Sequence, residues 1–211
     1  TGEATSVGVT LALQMLPTLF LGAWAGVIAD GRDRRTMAIA TQSALAVQAL
    51  VLGAIDMAGW ASLPVVYALS LVLGVVNAFD NPARRGLVTE LVPTVDIPNA
   101  TSLNTAVMTG SRIFGPALAG VLVTTIGTAW CFILNGLTFF AIIFSLVAIR
   151  RDEMFPVERR AKGGKPIREA LGFVAGHRDM LIIYSLLLII STVAFNQGTV
   201  LPKLADVRWG G

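Results

Sequence analysis

The stretch AWCFILNGLTFFAIIFSLVAI, residues 129–149, contains no charged side chain and is followed directly by Arg150 and Arg151. A helix needs about 20 mostly apolar residues to cross the hydrocarbon core of a bilayer, so this stretch predicts a transmembrane helix. Five more stretches of this character, in which Arg112 is the only charge, lie outward from it at residues 4–29, 36–55, 63–79, 100–126 and 180–202. The sequence therefore predicts an all-α, polytopic transmembrane bundle of about six helices.

The composition of the 211-residue chain supports this class. Hydrophobic residues make up 55% of the sequence and charged residues 14%, against about 25% charged in ordinary soluble domains. The formal net charge is +3, but the charges lie between the apolar stretches and form no basic face, which argues against a nucleic-acid partner. The sequence contains neither a Cys/His cluster nor a glycine-rich phosphate loop followed by lysine. We therefore expect the lipid bilayer as a partner, and no metal or cofactor.

Lysine and arginine indicate the orientation of the helices. Thirteen of the sixteen lie in three connections, residues 30–35, 80–99 and 150–179, whereas residues 56–62 and 127–128 contain none. The positive-inside rule places the three charged connections in the cytoplasm. The first helix then runs inward from the outer face, although the chain has no signal peptide and no initiating methionine. We expect at least one earlier helix, so that the sequence is a fragment.

The third charged connection is long enough to contain structure of its own. Residues 158–165 are polar and include two adjacent glycines, and Pro166 suits the first turn of a helix. Apolar residues then recur at helical spacing, at Ile167, Ala170, Leu171 and Val174. We expect a linker over residues 150–179 that contains an amphipathic helix on the cytoplasmic membrane surface.

A charged turn, GVIADGRDRR at residues 26–35, separates the first two stretches. Asp30 and Gly31 end one helix, and Arg34 and Arg35 begin the next. The helix macrodipole disfavours cations at a helix start, so these arginines need carboxylates or lipid phosphates as partners. Taken alone, the pattern is also typical of a tight turn whose positive charge sets topology.

The same turn resembles the loop between helices 2 and 3 of the major facilitator superfamily, Gly-x-Leu-Ala-Asp-Arg-x-Gly-Arg-Arg/Lys. The matching positions include Gly26, Asp30, Arg34 and Arg35. Gly31 replaces the first arginine of the pattern, and Asp33 replaces the glycine before the arginine pair. The resemblance implies a conformational latch that favours the outward-facing state, with Arg32 as a substitute for the missing arginine.

A second motif, GSRIFGPALAG at residues 110–120, contains a proline between small residues inside a predicted helix. Proline kinks a helix and small residues admit a close neighbour, so a packing kink is one interpretation. The segment also resembles the Gly-Pro motif on helix 5 of the superfamily's antiporters, with Ala119 in place of one glycine. The matching positions are Gly110, Gly115, Pro116 and Gly120. This resemblance implies export by exchange, usually against protons.

The third charged segment, NAFDNPARRGLVTELVP at residues 77–93, follows the third apolar stretch. We expect the helix to continue past Pro82, which brings Asp80 and Arg84 within reach at i, i+4 spacing. From residue 79 to residue 120 the chain closely resembles the enterobactin-exporter-like branch of the superfamily, which has a similar Asn-Pro-Ala-Arg segment, a Glu-Leu-Val-Pro exit and an arginine before Gly-Pro.

Arg112 lies in the middle of a predicted membrane helix, where a charge costs about 2.5–3.5 kcal/mol on insertion scales. It should therefore face the bundle interior or a wet cavity. We expect an Asp80–Arg112 pair on the transport path, in which protonation of Asp80 frees Arg112; a purely structural ion pair is the alternative. Other candidates for the transport path are Gln14, Asn77, Arg84 and Asn104.

The resemblance covers nearly the whole chain and implies the major facilitator fold. Residues 1–149 would be helices 2 to 6 of the N-terminal bundle, residues 150–179 the linker, and residues 180–211 helix 7. The implied protein is not an enzyme but a monomeric secondary transporter of the bacterial cytoplasmic membrane. It would export amphipathic small molecules, such as drugs or siderophores, by alternating access, and would exchange them for protons.

Three alternatives remain open at this stage. The same fold also serves lysophospholipid transport and nutrient import. A different class, a membrane-embedded transferase, would use Asp30 and Asp33 to bind a metal ion and a lipid head group.

Overall fold

The structure is a computed structural model that describes residues 2–155 and 172–194. Within these ranges the chain forms long helices joined by short turns, and no strand. Two compact units are present, Thr1–Lys162 and Gly163–Gly211. The first contains α1 (Gly2–Gly31), α2 (Arg34–Met57), α3 (Leu63–Glu90), α4 (Ile97–Ile126) and α5 (Thr128–Ala148), with short 3-10 turns at Thr94–Asp96 and Arg151–Glu153. The second contains α6 (Arg178–Ala194), which follows a helical segment at residues 172–176.

Helices α1 to α5 each have the length and the apolar composition needed to cross a membrane. The predicted all-α, polytopic bundle is thereby confirmed. The sixth predicted stretch, residues 180–202, is described as far as Ala194, within α6. Of the predicted amphipathic surface helix, Ile167, Ala170 and Leu171 lie outside the described residues.

Helix α3 extends well beyond its apolar stretch. It continues from Leu63 through Pro82 to Glu90, as the sequence predicts. Proline removes one backbone hydrogen bond, but a membrane helix tolerates it because neighbouring groups satisfy the freed carbonyl. Asp80, Arg84 and Glu90 therefore project from one continuous helix.

Three glycines lie at close contacts between helices of the first unit. Helix α1 packs along α3, and α2 packs against both α3 and α5. A Cβ at Gly74 of α3 would lie 2.6 Å from the carbonyl oxygen of Gln14 on α1. Across the α2–α5 contact, a Cβ at Gly53 or Gly136 would instead collide first with the side chain of Ile133 or Leu50. Small residues at these positions allow the backbones to approach, as is typical of membrane helix pairs.

Among α1 to α5, helix α4 differs from the others because none of its residues is buried. It has limited contacts with α3 and α5. Pro116 lies within the helix, and a Cβ added at Gly110, Gly115 or Gly120 would meet no described atom within 4 Å. A single residue separates α4 from α5, namely Gly127, whose φ of 85° falls in the left-handed region that favours glycine.

Candidate functional site

One end of the bundle, here called the charged end, consists of residues 30–35, 84–90 and 146–153. Here α1, α3 and α5 finish and α2 begins. Asp33 caps α2, because its side chain accepts a hydrogen bond of 2.7 Å from the backbone N–H of Thr36. This bond satisfies one of the N–H groups that a first helical turn leaves free.

Arg34 connects α2 to α1 and to α3. Its Nη2 donates to Oδ1 of Asp30 at 3.0 Å, and its Nη1 donates to Oε1 of Glu90 at 3.2 Å. Nη1 also donates to the carbonyl of Gly86 at 3.2 Å. The side chains of Arg34 and Glu90 are only 16% and 11% exposed, so water screens this ion pair less than a surface pair.

Gly86 leaves room for the Arg34 side chain. A Cβ at residue 86 would collide with Cδ, Nε and Cζ of Arg34. Any larger residue at this position must therefore shift the Arg34 side chain.

Arg35 connects α2 to the last turn of α5. Its Nε donates to the carbonyl of Leu146 at 2.6 Å and its Nη2 to the carbonyl of Val147 at 2.7 Å. Carbonyls in a last turn lack intrahelical partners, and a cation is favourable there. After α5 the chain returns to the charged end: Arg151 Nη2 lies 3.8 Å from Oδ2 of Asp33, and the N–H of Phe155 donates to the carbonyl of Glu90 at 2.8 Å.

These contacts bear differently on the predicted latch residues. Asp30 and Arg34 interact directly, and Arg35 binds carbonyls rather than a carboxylate. Arg32 was expected to substitute for the arginine missing at Gly31, but its side chain is exposed and makes no hydrogen bond or ion pair with any described residue. Among the described residues, nothing lies within 4 Å of a Cβ at Gly26.

A second site is buried between α2 and α3. Asp80 is completely inaccessible to solvent, and its Oδ1 accepts hydrogen bonds from Oγ1 of Thr41 at 2.7 Å and from Nε2 of Gln42 at 2.8 Å. Its Oδ2 accepts from Nε of Arg84 at 2.6 Å, which is the i, i+4 contact that the sequence predicts. Three donors therefore stabilise the charge of a carboxylate that water does not reach.

The expected Asp80–Arg112 pair is wrong in this structure. Both oxygens of Asp80 already have partners on α2 and α3. Arg112 lies on the exposed surface of α4, with no hydrogen bond or ion pair to the part of the chain that is described. Arg84 was the better candidate for the partner of Asp80, because residues at i, i+4 on one helix can contact each other without any packing between helices.

Two cavities flank these sites. A cavity of about 590 Å³ lies beside the start of α2; among its lining residues are Arg32, Asp33, Thr36, Thr41 and Phe79. A smaller cavity of about 150 Å³ lies among α3, α4 and α5; among its lining residues are Asn81, Arg84, Arg85, Asn104 and Met108.

The other predicted path residues are dispersed. Gln14 and Asn77 are partly buried and have no side-chain hydrogen bond within the described ranges. Asn104 lines the smaller cavity with Arg84, and its amide donates weakly to the sulfur of Met108 at 3.7 Å. Gly110, Gly115, Pro116 and Gly120 lie on α4 and join neither site.

Sequence reasoning missed Thr41, Gln42, Gly86, Glu90 and Arg151 as members of these sites. Glu90 was visible as a charge near the end of α3, but its partner lies 56 positions away in the sequence. Thr41 and Gln42 had no distinguishing signal, because polar residues in membrane helices usually bond between helices without further function.

The transferase alternative gains no support from the geometry. Asp30 accepts from Arg34, and Asp33 caps α2 and lies near Arg151. Among the described residues there is no group of three or more His, Cys, Asp or Glu that could hold a metal ion.

Taken together, membrane-length helices, an ion-pair network at one end and a buried carboxylate between two helices define the class, which is a polytopic α-helical membrane protein. The particular family follows from comparison with known proteins. A family described as transmembrane secretion effector matches residues 3–206, and the chain belongs to this family of the major facilitator superfamily.

Three curated relatives are similar to this chain. A staphyloferrin A transporter of Staphylococcus aureus is 22% identical over 212 residues, which cover 99% of this chain and 53% of that protein. Two uncharacterized major facilitator transporters of Bacillus subtilis are also similar. YfiS is 31% identical over 65% of this chain and 32% of its own length, and YkuC is 29% identical over 71% and 33%. The chain thus spans about half the length of the first relative and about a third of the others. No solved structure matches it.

Proposed function

We propose that the protein containing this chain is a secondary transporter that exports amphipathic small molecules, including siderophore-like compounds, across the bacterial cytoplasmic membrane. The observation that carries this proposal is the match of residues 3–206 to a family described as a secretion effector. Alternating access of two helical bundles is the mechanism that we propose, with protons moving inward as the substrate moves out.

Two observations favour this kind of cargo. A siderophore transporter is similar along 99% of the chain, which supports a siderophore-like substrate. The membrane helices are also predominantly apolar, which suits an amphipathic molecule better than a highly charged metabolite.

The charged end supplies the conformational element of the proposal. In the proposed correspondence, α1 to α5 are helices 2 to 6 of the N-terminal bundle and α6 is helix 7. Arg34 ties the end of α1 and the start of α2 to Glu90 on α3, and Arg35 ties α2 to α5. These contacts connect the ends of α1, α2, α3 and α5, so that the four helices can move as one body. Rigid-body rocking of a bundle requires such a connection.

Coupling to protons is assigned to the pair Asp80 and Arg84 in place of Asp80 and Arg112. Intramembrane ionisable residues are costly and commonly mark ion pathways, and Asp80 is a fully buried one. Arg112 keeps a place in the proposal as a residue of the transport path.

Transport into inverted membrane vesicles tests the proposed function. The complete transporter, acting as a monomer, is expected to accumulate a dye-like drug or a siderophore in inverted vesicles energised to an acidic interior. A protonophore should abolish this accumulation. Accumulation that the protonophore leaves unchanged contradicts proton coupling.

The alternatives give different outcomes in the same vesicles. Flux of lysophospholipid without flux of drug or siderophore would favour a lipid transporter. Accumulation of substrate only in right-side-out vesicles would favour an importer. Vesicles without the transporter provide the background for both measurements.

A further inference from the structure

The buried carboxylate of Asp80 lies beside an atom that lacks a partner. Gln42 is 2% exposed, and its amide nitrogen donates to Oδ1 of Asp80 at 2.8 Å. Its amide oxygen, Oε1, is buried and has no hydrogen-bond partner, the one such side-chain atom among the described residues. A buried acceptor without a donor costs free energy, so its presence requires an explanation.

Both donors to Oδ1 of Asp80 have a second arrangement available. Oγ1 of Thr41 lies 2.7 Å from Asp80 and 3.0 Å from the carbonyl of Ala38, and its single proton serves one acceptor at a time. The amide of Gln42 presents N–H to Asp80 in this structure, and rotation by about 180° presents Oε1 instead.

We propose that Asp80 is a proton-binding site and that Gln42 accepts the hydrogen bond of its protonated form. In the ionised state the carboxylate accepts from Thr41, Gln42 and Arg84, as seen in the structure. In the protonated state Oδ1–H donates to Oε1 of the rotated amide, and Thr41 turns its hydroxyl to the carbonyl of Ala38. Hydronium supplies the proton and leaves as water, and no other bond is made or broken. This inference rests on the proposed function, since it names the residue that carries the coupled proton.

The larger cavity provides a route for the proton. Thr41, which donates to Asp80, lines the 590 Å³ cavity together with Phe79. Water enters polar spaces of this size, and a hydroxyl can pass a proton onward. Among the described residues, the charged side chain that contacts Asp80 is Arg84 on its own helix, and the side chains of α2 that contact it, Thr41 and Gln42, are neutral. Arg32 and Asp33 line the cavity that Thr41 borders.

Proton binding at Asp80 has a consequence for Arg84. The neutral carboxyl no longer attracts the guanidinium, whose side chain is 48% exposed and lines the 150 Å³ cavity beside α4. The freed cation can then turn towards Asn81 and Asn104 in that cavity. The proton on α3 thereby changes the contacts between α3 and α4.

The first test uses the complete transporter reconstituted in liposomes. A gradient of about one pH unit drives up to tenfold accumulation per coupled proton. Asp80→Asn is expected to lose this accumulation while substrate counterflow, which needs no gradient, continues. If the Asp80→Asn variant accumulates substrate as the wild type does, the inference about Asp80 is wrong, whereas the proposed function still stands. If accumulation by the wild-type protein instead depends on a sodium gradient, or on no gradient, the proposed proton coupling is wrong.

The second test addresses Gln42 with a matched control. Gln48 is a second buried glutamine on α2, and its amide contacts the carbonyl of Leu69 at 3.5 Å, away from Asp80. Gln42→Met is expected to change the pH midpoint of transport, because it removes the side chain that donates to the ionised carboxylate and would accept from the protonated one. Gln48→Met should leave the midpoint unchanged. An unchanged midpoint in Gln42→Met overturns the role of Gln42.

Infrared difference spectra keep the inference testable if Asp80→Asn does not fold. Acidification of the wild type is expected to produce the carbonyl band of a protonated carboxylic acid. The band should change frequency in Gln42→Met, which lacks the acceptor, and not in Gln48→Met. The absence of such a band over the pH range of transport contradicts a proton on Asp80.

Discussion

At the scale of single residues, the contacts of Arg34 show what sequence alone can and cannot supply. The Asp30–Arg34 contact crosses a tight turn, and it was predictable because an arginine at a helix start needs a carboxylate partner nearby. Glu90 and Gly86 reach Arg34 only because α3 extends past Pro82 and packs beside the start of α2. The glycine at residue 86 is required by a side chain 52 positions away, and no local rule identifies it.

Gly86→Ala is expected to displace Arg34 from Glu90 and from the carbonyl of residue 86. Overpacking of this kind costs about 1–3 kcal/mol, although alanine itself favours a helix. We expect a lower thermal unfolding midpoint and slower transport in the complete transporter, measured in detergent and in liposomes.

A second variant isolates the clash in this prediction. In an Arg34→Ala background the added methyl has no guanidinium to meet, so Gly86→Ala should have little further effect. Gly31→Ala is the matched control, because a Cβ there meets no described atom within 4 Å. Additive losses in the double variant would contradict the proposed collision.

At the scale of elements, α2 organises the first unit. It packs against α3 and α5, receives its cap from Asp33 and contributes both Arg34 and Arg35. The hydrophobic stretches predicted the helices, but they did not predict which helices would pack against each other. Lipid tails and apolar side chains are equally apolar, so hydrophobicity does not distinguish a helix contact from a lipid contact. Close approach is set by Gly53, Gly74 and Gly136, whereas the small residues singled out on α4 remain uncovered.

Arg35→Gln is expected to weaken the attachment of α5 to α2. It removes two charge-assisted hydrogen bonds to the carbonyls of Leu146 and Val147, which together stabilise the fold by about 1–3 kcal/mol. Thermal unfolding of the purified transporter should show a midpoint several degrees lower, and Arg35→Lys an intermediate one, because lysine lacks the planar fork.

Arg32→Gln provides the control for this prediction. Arg32 is an equally charged residue three positions earlier, exposed and without a partner among the described residues. Its removal should leave the unfolding midpoint unchanged. Equal destabilisation by both variants would show that net charge matters, rather than the contacts of Arg35.

At the scale of the whole molecule, the class, the helices and the family were predictable from sequence, because membrane spans need long apolar stretches whatever they pack against. The buried site was predictable in part: Asp80 and Arg84 follow from local spacing. Thr41 and Gln42 do not, since their roles depend on how α2 is rotated against α3. The Arg112 prediction was wrong because neighbouring position in the chain does not imply side-chain contact.

Cysteine labelling tests the predicted orientation of the bundle. In a Cys131→Ser background, Trp60→Cys lies in the α2–α3 connection, where Trp60 is 75% exposed. A membrane-impermeant maleimide is expected to label it in intact cells. Arg32→Cys, at the charged end, should be labelled only after permeabilisation, because the positive-inside rule places that end in the cytoplasm. The reverse pattern would contradict the orientation.

The one-residue connection at Gly127 has a mechanical consequence. Helix α5 is fastened to α2, whereas the 30 residues of α4, roughly 45 Å of helix, have no buried side chain. Within the described residues, Gly127 is therefore the point about which α4 can tilt relative to α5. A tilt of about 10° at this pivot carries the far end of α4 sideways by roughly 8 Å, while the same end of α5 stays where Arg35 holds it.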